Sequence, residues 1–119
     1  MTENNILVDK SIAFAIRIVN CYNYLSEQKK EFTMSKQMFR SGTSIGANIH
    51  EAIQGQSRAE FVSKMNIALK EASERSYWLL VLHKTAFLDD RVYQSLKCDI
   101  DEIIRILIAT IKTTKKNDL

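Results

Sequence analysis

Apolar residues recur along this chain at spacings of three and four, in four long blocks divided by short polar stretches. From about residue 7 to 28, Ile12, Ala15, Ile16, Val19 and Asn23 follow one face of a helix. A charged link, QKKEF at 28–32, leads to a second block from about residue 33 to 55, with Thr33 as a candidate N-cap and Gly55 as a candidate C-cap. The third block opens at Ser57, where SRAE at 57–60 has the form of a capping box, and runs to about Phe87. Asp89 and Asp90 supply acceptors and negative charge for the start of the fourth. There Val92, Leu96, Ile100, Ile103, Ile104, Leu107 and Ile111 form a stripe, and Lys112, Lys115 and Lys116 sit where a helix dipole favours cations.

Short links between long helices favour antiparallel neighbours. The pattern therefore predicts an all-α protein, an antiparallel up-down-up-down four-helix bundle, as one domain over residues 1–119. The absence of proline and the presence of only three glycines agree, since an all-β chain needs such residues at its turns. The start, MTENNILVDK, lacks the basic and apolar regions of a signal peptide, and no segment reads as a membrane span. Cys21 and Cys98 form neither a disulfide framework nor a zinc pattern. A soluble, cytoplasmic protein is expected.

A helix in a monomeric bundle needs one apolar face, and two blocks have more. Opposite Ile12, Ile16 and Val19 runs a second stripe of Leu7, Phe14, Ile18, Cys21 and Leu25. The third block has a main face of Phe61, Met65, Ala68, Leu69, Ala72, Leu79, Leu80 and Phe87, with Ile67, Trp78 and Val81 behind it. An apolar surface of that extent marks a protein interface. Phe14, Ile18, Leu25, Ile67, Trp78 and Val81 are thus the candidate oligomer contacts. The alternative is a wide core that wraps them into one subunit.

Two of the three glycines frame Ser44 in RSGTSIGANIHEA, residues 40–52. G-x-S-x-G marks a hydrolase elbow only where a strand turns into a helix, with an acid and a histidine downstream. No strand precedes Gly42, and no Asp lies between Ser44 and His83. No Lys-Ser/Thr follows the glycines, so a phosphate loop is also excluded. In a helix, Gly42 and Gly46 share one wide apolar face with Met38, Phe39, Ile45 and Ile49. Glycine there costs about 1 kcal/mol against alanine. Close packing against a neighbouring element offsets that cost, with Trp78 and the tyrosines as candidate fillers. Asn48, at the border of this face, is expected to hydrogen-bond across the bundle or to touch a ligand.

His50 and His83 are the only histidines and make no metal-binding pair, so no metal or cofactor is expected. Glu60/Lys64 and Glu71/Arg75 have the i,i+4 spacing of helix-supporting ion pairs. Net charge is +3, which permits nucleic-acid binding without requiring it.

Arg40-Ser41, Ser44-Ile45, Ala47-Asn48-Ile49, Glu51-Ala52, Glu60-Phe61, Ile67-Ala68, Glu71-Ala72 and Glu74 together resemble a known family over nearly the whole chain. It is the bacterial four-helix-bundle family encoded in intervening sequences of 23S ribosomal RNA genes, itself similar to the accessory protein of diversity-generating retroelements. The resemblance implies a homopentamer of bundles with no established enzymatic activity; the retroelement relative is a basic pentamer that binds nucleic acid and a reverse transcriptase.

Two functions follow. The first is an oligomeric scaffold for RNA or DNA. Five copies of a +3 chain carry about +15, and repetition multiplies weak phosphate contacts. Lys29, Lys30, Lys36 and Arg40 around the first link, with Arg58 near the second, are the candidate contacts, with little aromatic interleaving for base stacking. The second is a protein-interaction hub with no nucleic-acid role.

Overall fold

The computed structural model describes residues 3–117. It contains α1 (Glu3–Glu27), α2 (Thr33–Ile53), α3 (Arg58–Lys84) and α4 (Asp90–Asn117), and no strand among the described residues. α2 packs on α1 and α3, and α4 closes the ring on α3 and α1, so α1 and α3 lie across the diagonal. The bundle measures 50 × 23 × 21 Å, which fits helices of about 40 Å aligned with its long axis.

The helix ends have local causes. The Glu31 carboxylate, almost buried, accepts N–H bonds from Thr33, Met34 and Ser35, the last at 2.7 Å. Glu31, not Thr33, therefore caps α2, and Thr33 is already helical. Ser57 Oγ accepts from the Glu60 N–H at 3.1 Å, while the Glu60 carboxylate accepts from the Gln56 N–H. Asp89 Oδ1 accepts from the Val92 N–H at 2.8 Å and opens α4. α2 ends at Ile53 with Gln54 as its cap, and no glycine has positive φ, so Gly55 is not the expected left-handed cap.

Left-handed backbone occurs instead at Lys30 (φ 54°) and Ala86 (φ 69°). Ala86 ends α3, donating its N–H to His83 while Phe87 donates to Leu82. A side chain in that conformation is strained, whereas glycine is not. Ala86→Gly is expected to stabilise the fold by about 0.5–1 kcal/mol, read as a higher urea midpoint. An unchanged midpoint would mean that the turn carries no such strain.

Leu7, Phe14, Ile18 and Leu25 of α1 meet Met38, Ile45 and Ile49 of α2, Met65 and Leu79 of α3, and Ile100, Ile103 and Leu107 of α4 in one core. This corrects the expected faces of α1. Phe14, Ile18 and Leu25 are at most 1% exposed and belong to the subunit interior, whereas Ile12 and Ile16 are 54% and 58% exposed. The reason lies at Ser11. The core stripe runs 7-11-14-18-21-25, unbroken 4-3 spacing along the whole helix, with a serine in one slot. Ser11 is buried, and its hydroxyl donates to the Val8 carbonyl at 2.8 Å, so it sits in the stripe without a distant partner. The Ile12-Ile16-Val19 stripe covers only about two turns and ends at Asn23. On α3, Leu80 is also more exposed than its place on the expected main face implied.

Gly42 is a point of close approach. A Cβ built there would stand 2.9 Å from Ile18 Cγ2 and 3.0 Å from Arg75 Cδ. The fillers are thus an isoleucine of α1 and an arginine of α3, not Trp78 or a tyrosine. At Gly46 the nearest atom is Ser11 Oγ at 3.4 Å, ordinary contact distance.

Candidate interaction surfaces

Since Ile12, Ile16 and Val19 point away from the core, they leave an apolar groove between α1 and α2. Val8 and Ala15 extend its α1 wall. Gly46 and Ala47, with little or no side chain, deepen its α2 side. The space is about 430 Å³, with Thr43 and His50 among its polar boundaries. Ala47 and His50 are exposed while Gly46 and Thr43 are half-buried, so one face of α2 serves both the core and this groove.

On α3, Ile67 is exposed, and Trp78 and Val81 are half-buried. Trp78 packs edge-on against Tyr77 with ring centres 5.1 Å apart, and its indole N–H is shielded without an acceptor among the described residues. Tyr77, 58% exposed, lies outside both apolar stripes of α3, so periodicity does not mark it.

The basic candidates divide. Lys29 and Lys30 lie in the α1–α2 link, Lys36 in the first turn of α2 and Arg40 one turn further, all exposed. None of these four forms an ion pair within the described residues. Arg58 opens α3 at the opposite end of the bundle, separated by the length of α2, about 30 Å. Topology instead brings Arg58 to the end that carries Lys115 and Lys116. The first end also carries exposed aromatic rings. Phe32 is 59% exposed between Lys30 and Lys36, and Tyr24 is exposed with the Lys29 ammonium 6.0 Å from its ring centre. The sequence places Phe32 in the charged link, and the fold leaves its ring in solvent there.

The motif around Ser44 is wholly helical. Ser44 Oγ donates to the Arg40 carbonyl at 2.7 Å, and Asn48 Nδ2 donates to the Ser44 carbonyl at 2.9 Å, so the Asn48 bond stays within α2 rather than crossing the bundle. Glu71 and Glu74 line a polar cleft of about 200 Å³ with Gln37, Arg40 and Ser41. The expected Glu71–Arg75 bridge is not formed, because Arg75 turns into the core. Lys64 pairs with Glu51 of α2 at 3.6 Å rather than with Glu60. His83 stacks on Tyr93 at 4.3 Å and contacts the Leu88 carbonyl, tying α3 to α4. No group of His, Cys, Asp and Glu among the described residues could hold a metal, and no described helix is long and apolar enough to cross a membrane.

The α1–α4 seam is tied by Lys10 to Glu102 at 2.6 Å and by Arg17 to Asp99, with Arg17 also donating to Ser95 Oγ. Behind it, burial raises the Cys21 thiol from 9.0 to about 11, against smaller opposing pulls from the Arg75 and Arg17 charges. A folded pKa above the unfolded one gives stability that is present below about 9 and lost as pH rises towards about 11. The stability of the protein relative to its Cys21→Ala variant is therefore expected to fall across that window, by about 2 kcal/mol at most. A constant difference in urea unfolding from pH 8 to 11 would contradict it.

A sequence model of the family described as 23S rRNA-intervening sequence protein matches residues 3–109. The chain belongs to the 23S rRNA-intervening sequence protein family. Among solved structures, it is similar to a protein of unknown function from the S23 ribosomal protein family of Bacteroides thetaiotaomicron VPI-5482. The two share 54% identity over 93% of this chain and 99% of that one, with a TM-score of 0.92. No curated protein matches the chain. The family is of unknown function and is not known as an enzyme family.

Proposed function

We propose that this family member is the subunit of a non-enzymatic homo-oligomeric scaffold that holds RNA or DNA through phosphate contacts at the α1–α2 end. The number of subunits is five, as the resemblance to pentameric bundles implies. The observation that carries the reading is the apolar groove. Ile12, Ile16 and Val19 stand in solvent beside a channel of about 430 Å³, a surface that a second copy would remove from water. Repetition then places the four unpaired cations Lys29, Lys30, Lys36 and Arg40 around one end of the assembly, where weak contacts add. Phe32 and Tyr24 offer ring faces to unpaired bases, which favours single-stranded segments over duplex.

Binding of a single-stranded RNA by oligomer of known mass is expected to weaken steeply between low and physiological salt. Lys36→Glu with Arg40→Glu should weaken it at least tenfold and flatten the salt slope, while Phe32→Ala should lower affinity and leave the slope unchanged. Absence of binding at low salt would favour a protein-interaction hub, in which the same groove takes a different protein and docking is insensitive to salt.

A further inference from the structure

Arg75 is the largest fully buried side chain among the described residues. It leaves α3, passes the bare backbone of Gly42 and brings its guanidinium carbon 5.9 Å from the centre of the Phe14 ring. Nε, Nη1 and Nη2 are all shielded from solvent, and none meets an acceptor among the described residues. Glu71, one turn earlier on the same helix, makes no bond to it. A guanidinium has five N–H donors and does not shed its charge at neutral pH. Even with burial lowering its pKa to about 9, Arg75 stays protonated there, and the ionisable group that interacts with it, the Cys21 thiol, is held neutral. The core thus encloses a positive charge and a fork of donors with no protein counter-charge. Buried charges of this kind are strongly unfavourable unless paired.

We propose that the bundle core binds one small monovalent anion, of the halide or nitrate class, on the Arg75 guanidinium. Charge selects an anion over water, since water would satisfy the donors and leave the charge uncompensated. The size and valence follow from the walls. Of the groups placed against Arg75, Phe14 and Gly42 carry no polar side-chain group and the Cys21 thiol is neutral, so the single positive charge matches a monovalent anion. Strongly hydrated anions such as sulfate and fluoride are disfavoured because none of their water could be replaced beyond the one fork of donors. This site is separate from the scaffold reading and stands or falls without it.

Bromide tests it in the whole chain. Crystals soaked in bromide and measured at the bromine absorption edge are expected to show an anomalous peak within hydrogen-bonding distance of the Arg75 nitrogens. In solution, raising bromide from about 10 mM to about 500 mM should lift the melting temperature by about 5 °C more in the wild type than in Arg75→Met. Methionine keeps much of the length and removes the charge, a replacement that buried ion sites commonly tolerate. Should that variant fail to fold, the diffraction measurement decides alone. Ordered water alone at Arg75, or a guanidinium turned outward onto Glu71, would overturn the proposal. So would an equal bromide response in wild type and variant.

Discussion

Gly42→Leu is expected to leave too little stability for the bundle to fold at 37 °C. A single Cβ at this position already stands 2.9 Å from Ile18, closer than real Cβ contacts come, and 3.0 Å from Arg75, tighter than nearly all of them. Both neighbours are fully buried, so neither can swing into solvent. Alanine gains about 1 kcal/mol of helix propensity over glycine, while over-packing a filled core costs about 1–3 kcal/mol. Gly42→Ala should therefore be destabilising by about 1 kcal/mol, and leucine, with three further carbons, by well over 3 kcal/mol. Gly46 supplies the control. Its nearest neighbour is a serine hydroxyl at 3.4 Å, so Gly46→Ala should leave stability unchanged or raise it by up to about 1 kcal/mol. Circular dichroism melts of the three variants give the test. Equal effects of alanine at the two glycines would show that the α1–α2–α3 contact is looser than its geometry.

The pair of glycines also marks how far the sequence could be read. The four helices were legible because 3-4 periodicity is imposed by the core, and their starts because Ser57 and Asp89 act over three residues. Ends were less legible. α3 stops at an alanine forced into left-handed backbone, which no glycine announces. The orientation of α1 was hidden by one residue, because Ser11 occupies a core slot by bonding to its own helix and breaks the apolar stripe that Leu7, Phe14, Ile18 and Leu25 define. Arg75 could not be found at all. An arginine four residues after a glutamate reads as a surface ion pair, and only the bare backbone of Gly42 on a different helix makes room for it inside. The surface candidates depended on the same information. Reversing α1 moves the apolar surface from Phe14 and Ile18 to Ile12 and Ile16 without altering the reason for suspecting one.

That reversal sets the remaining prediction. Ile16→Glu should abolish the proposed self-association, seen as a fall to subunit mass by light scattering at micromolar concentration, while the melt of the monomer stays cooperative. Ile16 is 58% exposed, so a carboxylate there remains hydrated in an isolated subunit and leaves the core untouched. In an assembly the same carboxylate would be buried in an apolar groove without a partner, at a cost of several kcal/mol at every copy of the contact. A cost of that size shifts an association constant by three or more orders of magnitude. Phe14→Glu is the contrasting variant. It would place the charge in the subunit core and should unfold the chain rather than dissociate it. Trp78→Glu, on the half-buried α3 surface, distinguishes the second patch. Loss of mass with Trp78→Glu but not with Ile16→Glu would move the interface from the α1–α2 groove to α3. Loss with both would mean that each subunit presents two different surfaces, and a head-to-tail contact of that kind is what closes a ring of identical subunits.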